Sequence, residues 1–161
     1  MNKDEQVILG FRNVYNKMVF LNKFKMEDSL RGVKSSEVHC IEYLGSHEDS
    51  NVTMLAESFF MTRGAISKIT RKLIQKGVIE SYQKADNKKE VYFRLTDQGE
   101  RINKIHEDLH QEFRERDKCV FEQVSEEQFD AILSFVVMYE RHLDAEIKKQ
   151  GIRISEQEYL E

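Results

Sequence analysis

Between Met61 and Lys89 the chain carries eight basic side chains, Arg63, Lys68, Arg71, Lys72, Lys76, Lys84, Lys88 and Lys89, against two acids, Glu80 and Asp86. The whole chain has a formal net charge of −4, so the remainder is strongly acidic and the positive charge is concentrated on one stretch. Such a stretch calls for an anionic partner. Thr62, Arg63, Gly64, Ser67, Lys68, Arg71 and Lys72 recur at helical spacing and put small and basic groups on one face. Entry into the major groove of DNA requires this, because bulky apolar groups there could meet neither phosphates nor base edges. Arg63 stands in the first turn, where a recognition helix meets bases. The helix N-terminus adds unpaired N–H groups and a positive dipole end suited to a phosphate. Lys88 and Lys89 fall in a turn-rich segment and can reach a neighbouring minor groove.

A second set of residues could bind metal. His106 and His110 are four apart and share a helix face, so two imidazoles can meet one ion, with His39 as a third ligand. Glu27, Asp28, Glu42 and Glu107 are candidates for a fourth, and spacing selects none of them. A hydrogen-bonded histidine cluster without metal accounts for the same residues, and a small organic effector is an equally open reading. Cys40 and Cys119 lie far apart with no CxxC pairing, and are expected to be buried small hydrophobes. No glycine-rich phosphate loop or nucleophile motif occurs, so an enzyme is not expected.

The elements that would position these groups follow from apolar periodicity. Val7, Ile8, Phe11, Val14, Tyr15, Met18, Leu21 and Met26 predict a long first helix with one buried face from about Asn2 to Asp28. Gly32 breaks it, and Ser35 or Ser36 caps a second helix carrying Val38, Ile41 and Leu44. After a loop from Ser46 to Asn51, Thr53 caps a short third helix in which Leu55, Ala56, Phe59 and Phe60 turn inward. Thr62 caps a fourth, with Ile66, Ile69, Leu73 and Ile74 as its core face and Gly77 as its left-handed stop. Val78 to Lys84 and Val91 to Leu95 are β-prone runs around a turn-rich centre, a hairpin. Thr96 and Asp97 open a very long helix, and the box Ser125 to Gln128 opens the last one. The tail from Gly151 is expected to be loosely ordered.

Composition agrees with a mainly helical chain: of 161 residues none is Pro and only seven are Gly. No apolar run spans a bilayer and the N-terminus lacks the order of a signal peptide, so a cytoplasmic protein is expected. Three helical segments flank a compact middle and carry more apolar stripe than that middle can cover, which predicts packing against a second copy. The fold class is therefore mainly α with a small β-hairpin wing, a winged helix-turn-helix flanked by long dimerisation helices. Its parts are an N-terminal dimerisation helix (1–34), the DNA-binding unit (35–97) and C-terminal dimerisation helices (98–161).

The chain resembles the MarR group of bacterial transcriptional regulators. The resemblance is carried by Thr53-Met54-Leu55-Ala56-Glu57, by Met61-Thr62-Arg63-Gly64-Ala65-Ile66-Ser67-Lys68-Ile69, by Leu73-Ile74-Gln75-Lys76-Gly77-Val78-Ile79, and by Asp86-Asn87-Lys88-Lys89 leading into Leu95-Thr96-Asp97-Gln98-Gly99. It implies a homodimer joined by the terminal helices, with recognition helices in successive major grooves of a pseudo-palindromic operator and wings in the minor groove. It implies a sequence-specific regulator, read as a repressor, that is released or engaged by a small ligand or a metal. Zinc-uptake repressors of the group hold metal at positions matching His39, His106 and His110, whereas its fatty-acid-synthesis repressors share the histidines with no metal implied. Two departures bear on DNA reading. The group's wing carries an acidic residue and then two basic ones ending in Arg, where this chain has Asn87, Lys88 and Lys89, and a frequent Arg of the recognition helix is Lys68. Lysine lacks the bidentate fork, so both changes favour phosphate contact over base reading. A low-specificity architectural DNA binder is the competing reading of the same basic face.

Overall fold

Helix starts in the computed structural model, which describes residues 1–150, are set by side chains that satisfy the first free N–H groups. Helix α1 (Lys3–Ser29) opens with a capping box: Asn2 Oδ1 accepts from the Glu5 N–H, and the Glu5 carboxylate accepts from the Asn2 N–H. The chain then turns at Gly32, whose φ of 82° lies in the left-handed region. Helix α2 (Ser35–Ser46) is not capped by Ser35 or Ser36. Its N-cap is Lys34, whose N–H donates to the Glu37 carboxylate at 2.8 Å.

The loop expected from Ser46 to Asn51 ends in a short strand, β1 (Ser50–Asn51), before helix α3 (Val52–Ser58). Asn51 rather than Thr53 caps α3, its Oδ1 accepting from the Met54 N–H at 3.0 Å. Thr62 caps α4 (Arg63–Gln75), its Oγ1 accepting from the Ala65 N–H at 3.1 Å, and Gly77 at φ 69° stops it. Strands β2 (Ile79–Tyr82) and β3 (Tyr92–Leu95) form the hairpin, and β1 pairs with the other edge of β3 to give the order β1-β3-β2, all antiparallel. The register sets Ile79 against Leu95 and Ser50 against Phe93.

Thr96 caps α5 (Asp97–Phe121) and also donates to the Gly77 carbonyl at 2.6 Å, tying the end of the recognition unit to the start of the long helix. The contact is close. A Cβ on Gly99 would stand 2.2 Å from the Val78 carbonyl oxygen, so only glycine permits it. Ser125 and Gln128 form the expected capping box of α6 (Glu126–Lys149).

The core gathers Ile41, Leu44, Leu55, Ala56, Ile66, Leu73, Val78, Ile79 and Phe93 between α2, α3, α4 and the sheet. A smaller cluster of Leu30, Val38, Leu109 and Phe113 joins the α1–α2 connection to α5. Two positions differ from the expected inward faces. Ile74 is exposed while Thr70 is buried, because the buried stripe of α4 runs through Ile66, Thr70 and Leu73. Phe60 is exposed and holds a φ of 52°, since the tight turn between α3 and α4 takes it out of the helical path. Cys40 is fully buried as expected, but Cys119 is exposed near the end of α5. Helices α1 and α6 bury no residue at all. In α1 the expected stripe is present, yet its Val14, Tyr15, Met18 and Leu21 all face solvent in the single chain, as does Phe20 beside it.

Candidate nucleic-acid interface

The outer face of α4 follows from its core stripe: with Ile66, Thr70 and Leu73 inward, Arg63, Gly64, Lys68, Arg71 and Lys72 are exposed and Thr62 and Ser67 half-buried. Thr62 spends its hydroxyl oxygen on the Ala65 N–H, so it orders the helix start. The wing tip is shaped by Asn87, whose Oδ1 accepts from the N–H groups of Lys89 at 3.2 Å and Glu90 at 3.3 Å, a local turn that leaves Lys88 and Lys89 exposed. The Asn that replaces an acid in the family pattern thus acts on the backbone of the turn.

Two of the eight basic residues are otherwise engaged. Lys76 Nζ lies 2.7 Å from the Glu37 carboxylate, and Lys84 Nζ lies 2.5 Å from that of Asp49. Arg63, Lys68, Arg71, Lys72, Lys88 and Lys89 make no ion pair among the described residues. These six are the basic members of the set that residue pattern singled out.

Sequence reasoning missed the root of the wing. Asp49 accepts from the Tyr82 hydroxyl at 2.7 Å and from Lys84, Lys84 lies 4.9 Å from the centre of the Tyr92 ring, and Arg94 stacks on Tyr82 while pairing with Glu80 at 2.6 Å. Hydrogen bonds from Lys84 and Tyr82 hold the Asp49 carboxyl below the usual carboxylate range. The alternating aromatic and charged residues of β2 and β3 were the available signal.

Residues 33–91 match the family model described as MarR family. Over 148 residues the chain is 32% identical to the HTH-type transcriptional regulator PchR of Bacillus subtilis (strain 168), covering 83% of this chain and 88% of that protein. The chain belongs to the MarR family. It is also 38% identical over 93 residues to the uncharacterized HTH-type transcriptional regulator YhjH of the same organism, spanning 58% of this chain and 53% of that one. Its fold is that of the crystal structure of Streptococcus pneumoniae FabT in complex with DNA, with a TM-score of 0.77 at 18% identity over 89% of this chain and 99% of that one. The S. aureus MepR–DNA complex aligns with a TM-score of 0.67 at 21% identity, over 83% and 93% of the two chains. Like its relatives this MarR-family chain is a DNA-binding transcriptional regulator, not an enzyme.

The histidines of this MarR-family chain are brought only partly together. His106 is 3% exposed, and its Nε2 stands 3.0 Å from that of His110. Glu42 from α2 closes the set: one donor atom each from Glu42, His106 and His110 lie within 4.8 Å of one another. His39 is outside that set; it is exposed, with Nδ1 3.8 Å from the Glu42 carboxylate. Burial, and then the neighbouring His110, push the His106 imidazole below its ordinary value, so it is held neutral. Beside it lies a cavity of about 510 Å³ with apolar walls from Val19, Met26, Leu30, Val33 and Val38, and all three histidines in its lining.

Proposed function

We propose that the protein is a homodimeric, sequence-specific repressor that binds a pseudo-palindromic operator in double-stranded DNA. In this reading Arg63 reads a base edge, Thr62, Gly64 and Ser67 let the backbone approach the groove, and Lys68, Arg71 and Lys72 hold phosphates. Lys88 and Lys89 carry the wing into a minor groove. The observation that carries it is the division of the basic residues: the two that meet carboxylates lie off the proposed contact surface, and the six on it are free of acidic partners among the described residues. Salt-sensitive phosphate binding needs such unpaired cations.

The apolar surfaces of α1 and α6 support a dimer in which residues 1–34 and 98–161 pack against a second copy and 35–97 bind DNA. No described helix is long and apolar enough to cross a membrane, in keeping with a cytoplasmic protein. The test is selection of duplexes from a random pool, followed by titration of the best one against random DNA at fixed salt, with sedimentation of the free protein. We expect a dimer that prefers the selected duplex by at least about a thousandfold. Near-equal affinities would leave a low-specificity architectural binder, and a monomer at micromolar concentration would overturn the dimer.

The cavity beside the histidines suits a small effector with an apolar body. A metal-responsive variant of the proposal is favoured by the donor set of Glu42, His106 and His110, beside which His39 lines the same cavity. Tetrahedral ligands about 2.1 Å from zinc stand about 3.4 Å apart, close to the observed separation of the two imidazoles. A buried imidazole kept neutral is ready to ligate. Operator titration of chelator-treated protein with and without zinc is expected to show a change in wild type and none in His106→Ala. An unchanged wild type returns the histidines to a structural role.

A further inference from the structure

Glu37 is the one carboxylate buried among the described residues, with 3% of its side chain exposed. Its Oε2 accepts from Lys76 Nζ at 2.7 Å and from the Lys34 N–H at 2.8 Å, and Lys76 Nζ also donates to the Gly32 carbonyl at 2.7 Å. Burial pushes the Glu37 carboxyl up, but the Lys76 hydrogen bond, the Lys34 N–H and the charges of Lys76 and Lys72 outweigh it, so the group stays ionised. Lys76 keeps 37% of its side chain exposed, so the pair is buried only at its Glu37 end; desolvation of that carboxylate offsets part of the attraction, and the best-attested use of such a pair is to fix a register.

The three residues belong to three different parts of the chain. Lys76 is the C-cap of α4, Glu37 lies in the first turn of α2, and Gly32 stands in the Leu30 to Lys34 strap that joins α1 to α2. Among the described residues, no other side chain from Thr62 to Lys76 hydrogen-bonds outside α4 itself. The remaining hold on α4 comes from the apolar core through Ile66 and Leu73, which is non-directional, and, just past its C-terminus, from Thr96, whose hydroxyl donates to the Gly77 carbonyl; neither is a polar tie to the α1–α2 strap. Leu30, Val33 and Lys34 of the same strap wall the apolar cavity.

We infer that Glu37 and Lys76 form a latch of positioning residues that locks the recognition helix to the α1–α2 strap, and so sets the distance between operator half-sites that the dimer accepts. Neither residue touches DNA in this assignment. The strap leads directly into α1, so a fixed angle between strap and α4 becomes a fixed separation of the two α4 helices across the dimer. The inference rests on the proposed dimer.

The test measures spacing selectivity rather than affinity alone. The selected operator is resynthesised with its half-sites moved apart or together by one and two base pairs, and a single half-site duplex serves as reference. The double variant Glu37→Gln, Lys76→Met removes the charges without leaving one buried alone, and Lys76→Arg keeps a cation able to donate to both acceptors. Wild type and Lys76→Arg are expected to prefer one spacing by at least about tenfold. The double variant is expected to keep its half-site affinity within about twofold and to let the spacing preference fall below about threefold, under the roughly fivefold lower end of a typical coupling between sites. If the double variant shows no cooperative thermal transition, Glu37→Gln alone carries the measurement.

A spacing profile unchanged in the variant, or an equal loss at every spacing, would overturn the latch. Sedimentation of the same samples separates the two ideas. A dimeric wild type whose preference survives the substitutions defeats the latch alone, and a monomeric wild type without any spacing preference defeats the dimer and the latch together.

Discussion

Between α2 and β3 the side chains of Ile41, Leu55, Ile66, Leu73, Val78 and Ile79 are almost wholly removed from water, whereas α1 and α6, which also carry apolar residues at helical spacing, bury no residue fully. Both regions satisfy the same local rules. Thr62 caps α4 in the winged unit as Asn2 and Ser125 cap α1 and α6 outside it. What differs is the partner: the winged unit folds α2, α3, α4 and a sheet around one another, while α1 touches α5 and α6 at separate points, Met26 against the Leu109 and Phe113 cluster, Phe11 stacked on Phe135, and polar ties such as Lys25 to Glu112 and Arg116 to Asn22 at 2.9 Å. Local rules make a helix, and only a facing surface makes it stable in the fold. Each large apolar side chain moved from water to a buried site contributes about 1.5–3 kcal/mol, so the faces of α1 and α6 hold a large unused driving force for association.

The same kind of truncation placed in the two regions is the strongest way to break this contrast. Leu73→Ala removes a fully buried side chain from the winged core and is expected to cost about 2–5 kcal/mol, read as a lower midpoint in denaturant at one fixed protein concentration with the dimer mass unchanged. Leu133→Asp with Val137→Asp changes two exposed residues of α6, which in an isolated chain would cost almost nothing. In a dimer the pair is expected to shift sedimentation to the monomer mass and make the thermal midpoint of partly dimeric samples rise with concentration. If α6 tolerates both aspartates with no change in mass, the flanking helices are not the dimer contact.

A smaller effect separates the two parts of the DNA surface. Arg63→Ala is expected to cost about 1–3 kcal/mol on the selected duplex and to relax preference at one base position, whereas Lys89→Ala weakens all duplexes nearly alike and lowers the slope of log affinity against log salt by about one. Equal specificity ratios for wild type and Arg63→Ala would remove base readout from Arg63. The Asn87 turn holds the wing tip through backbone N–H groups, so Lys88 and Lys89 are expected to share the same phosphate-like behaviour.

Residue pattern carried furthest where the cause is local. The caps Thr62, Thr96 and Ser125, the break at Gly32, the left-handed stop Gly77, and the exposed cations of α4 all depend on neighbours within a turn, and each sits where the spacing put it. Thr53 and Asn51 are both competent caps two residues apart, and the choice fell to Asn51, the residue paired with Tyr92 of β3. Strand β1 escaped notice because two residues have no periodicity, and its existence depends on the free edge of β3. The Glu37–Lys76 latch joins residues 39 apart and the Asp49 to Lys84 tie residues 35 apart, contacts that no helical or strand period encodes. For the histidines, spacing correctly paired His106 with His110, but whether His39 or Glu42 completes the set depends on how α2 packs against α5.

The least perturbing probe of the contrast uses the two thiols, Cys40 inside the winged core and Cys119 near the end of α5 outside it. Burial, and then the nearby Glu37 charge, push the Cys40 thiol up to about 12, so at pH 8 it is almost entirely protonated and shielded. Cys119 is exposed near the end of α5, beside the exposed Val120 and Phe121. Iodoacetamide at pH 8 is therefore expected to add one carbamidomethyl group to the native protein, at Cys119, with Cys40 reacting only after denaturation. The stability change on modification is expected to stay within about 0.5 kcal/mol, as for ordinary surface substitutions. Repeating the reaction across protein concentrations sharpens the comparison. A Cys119 rate that falls as protein is concentrated draws the end of α5 into the dimer contact, and a constant rate confines that contact to α1 and α6. Rapid native labelling of Cys40 would mean that the winged core opens locally, against the complete burial that sets it apart from the flanking helices.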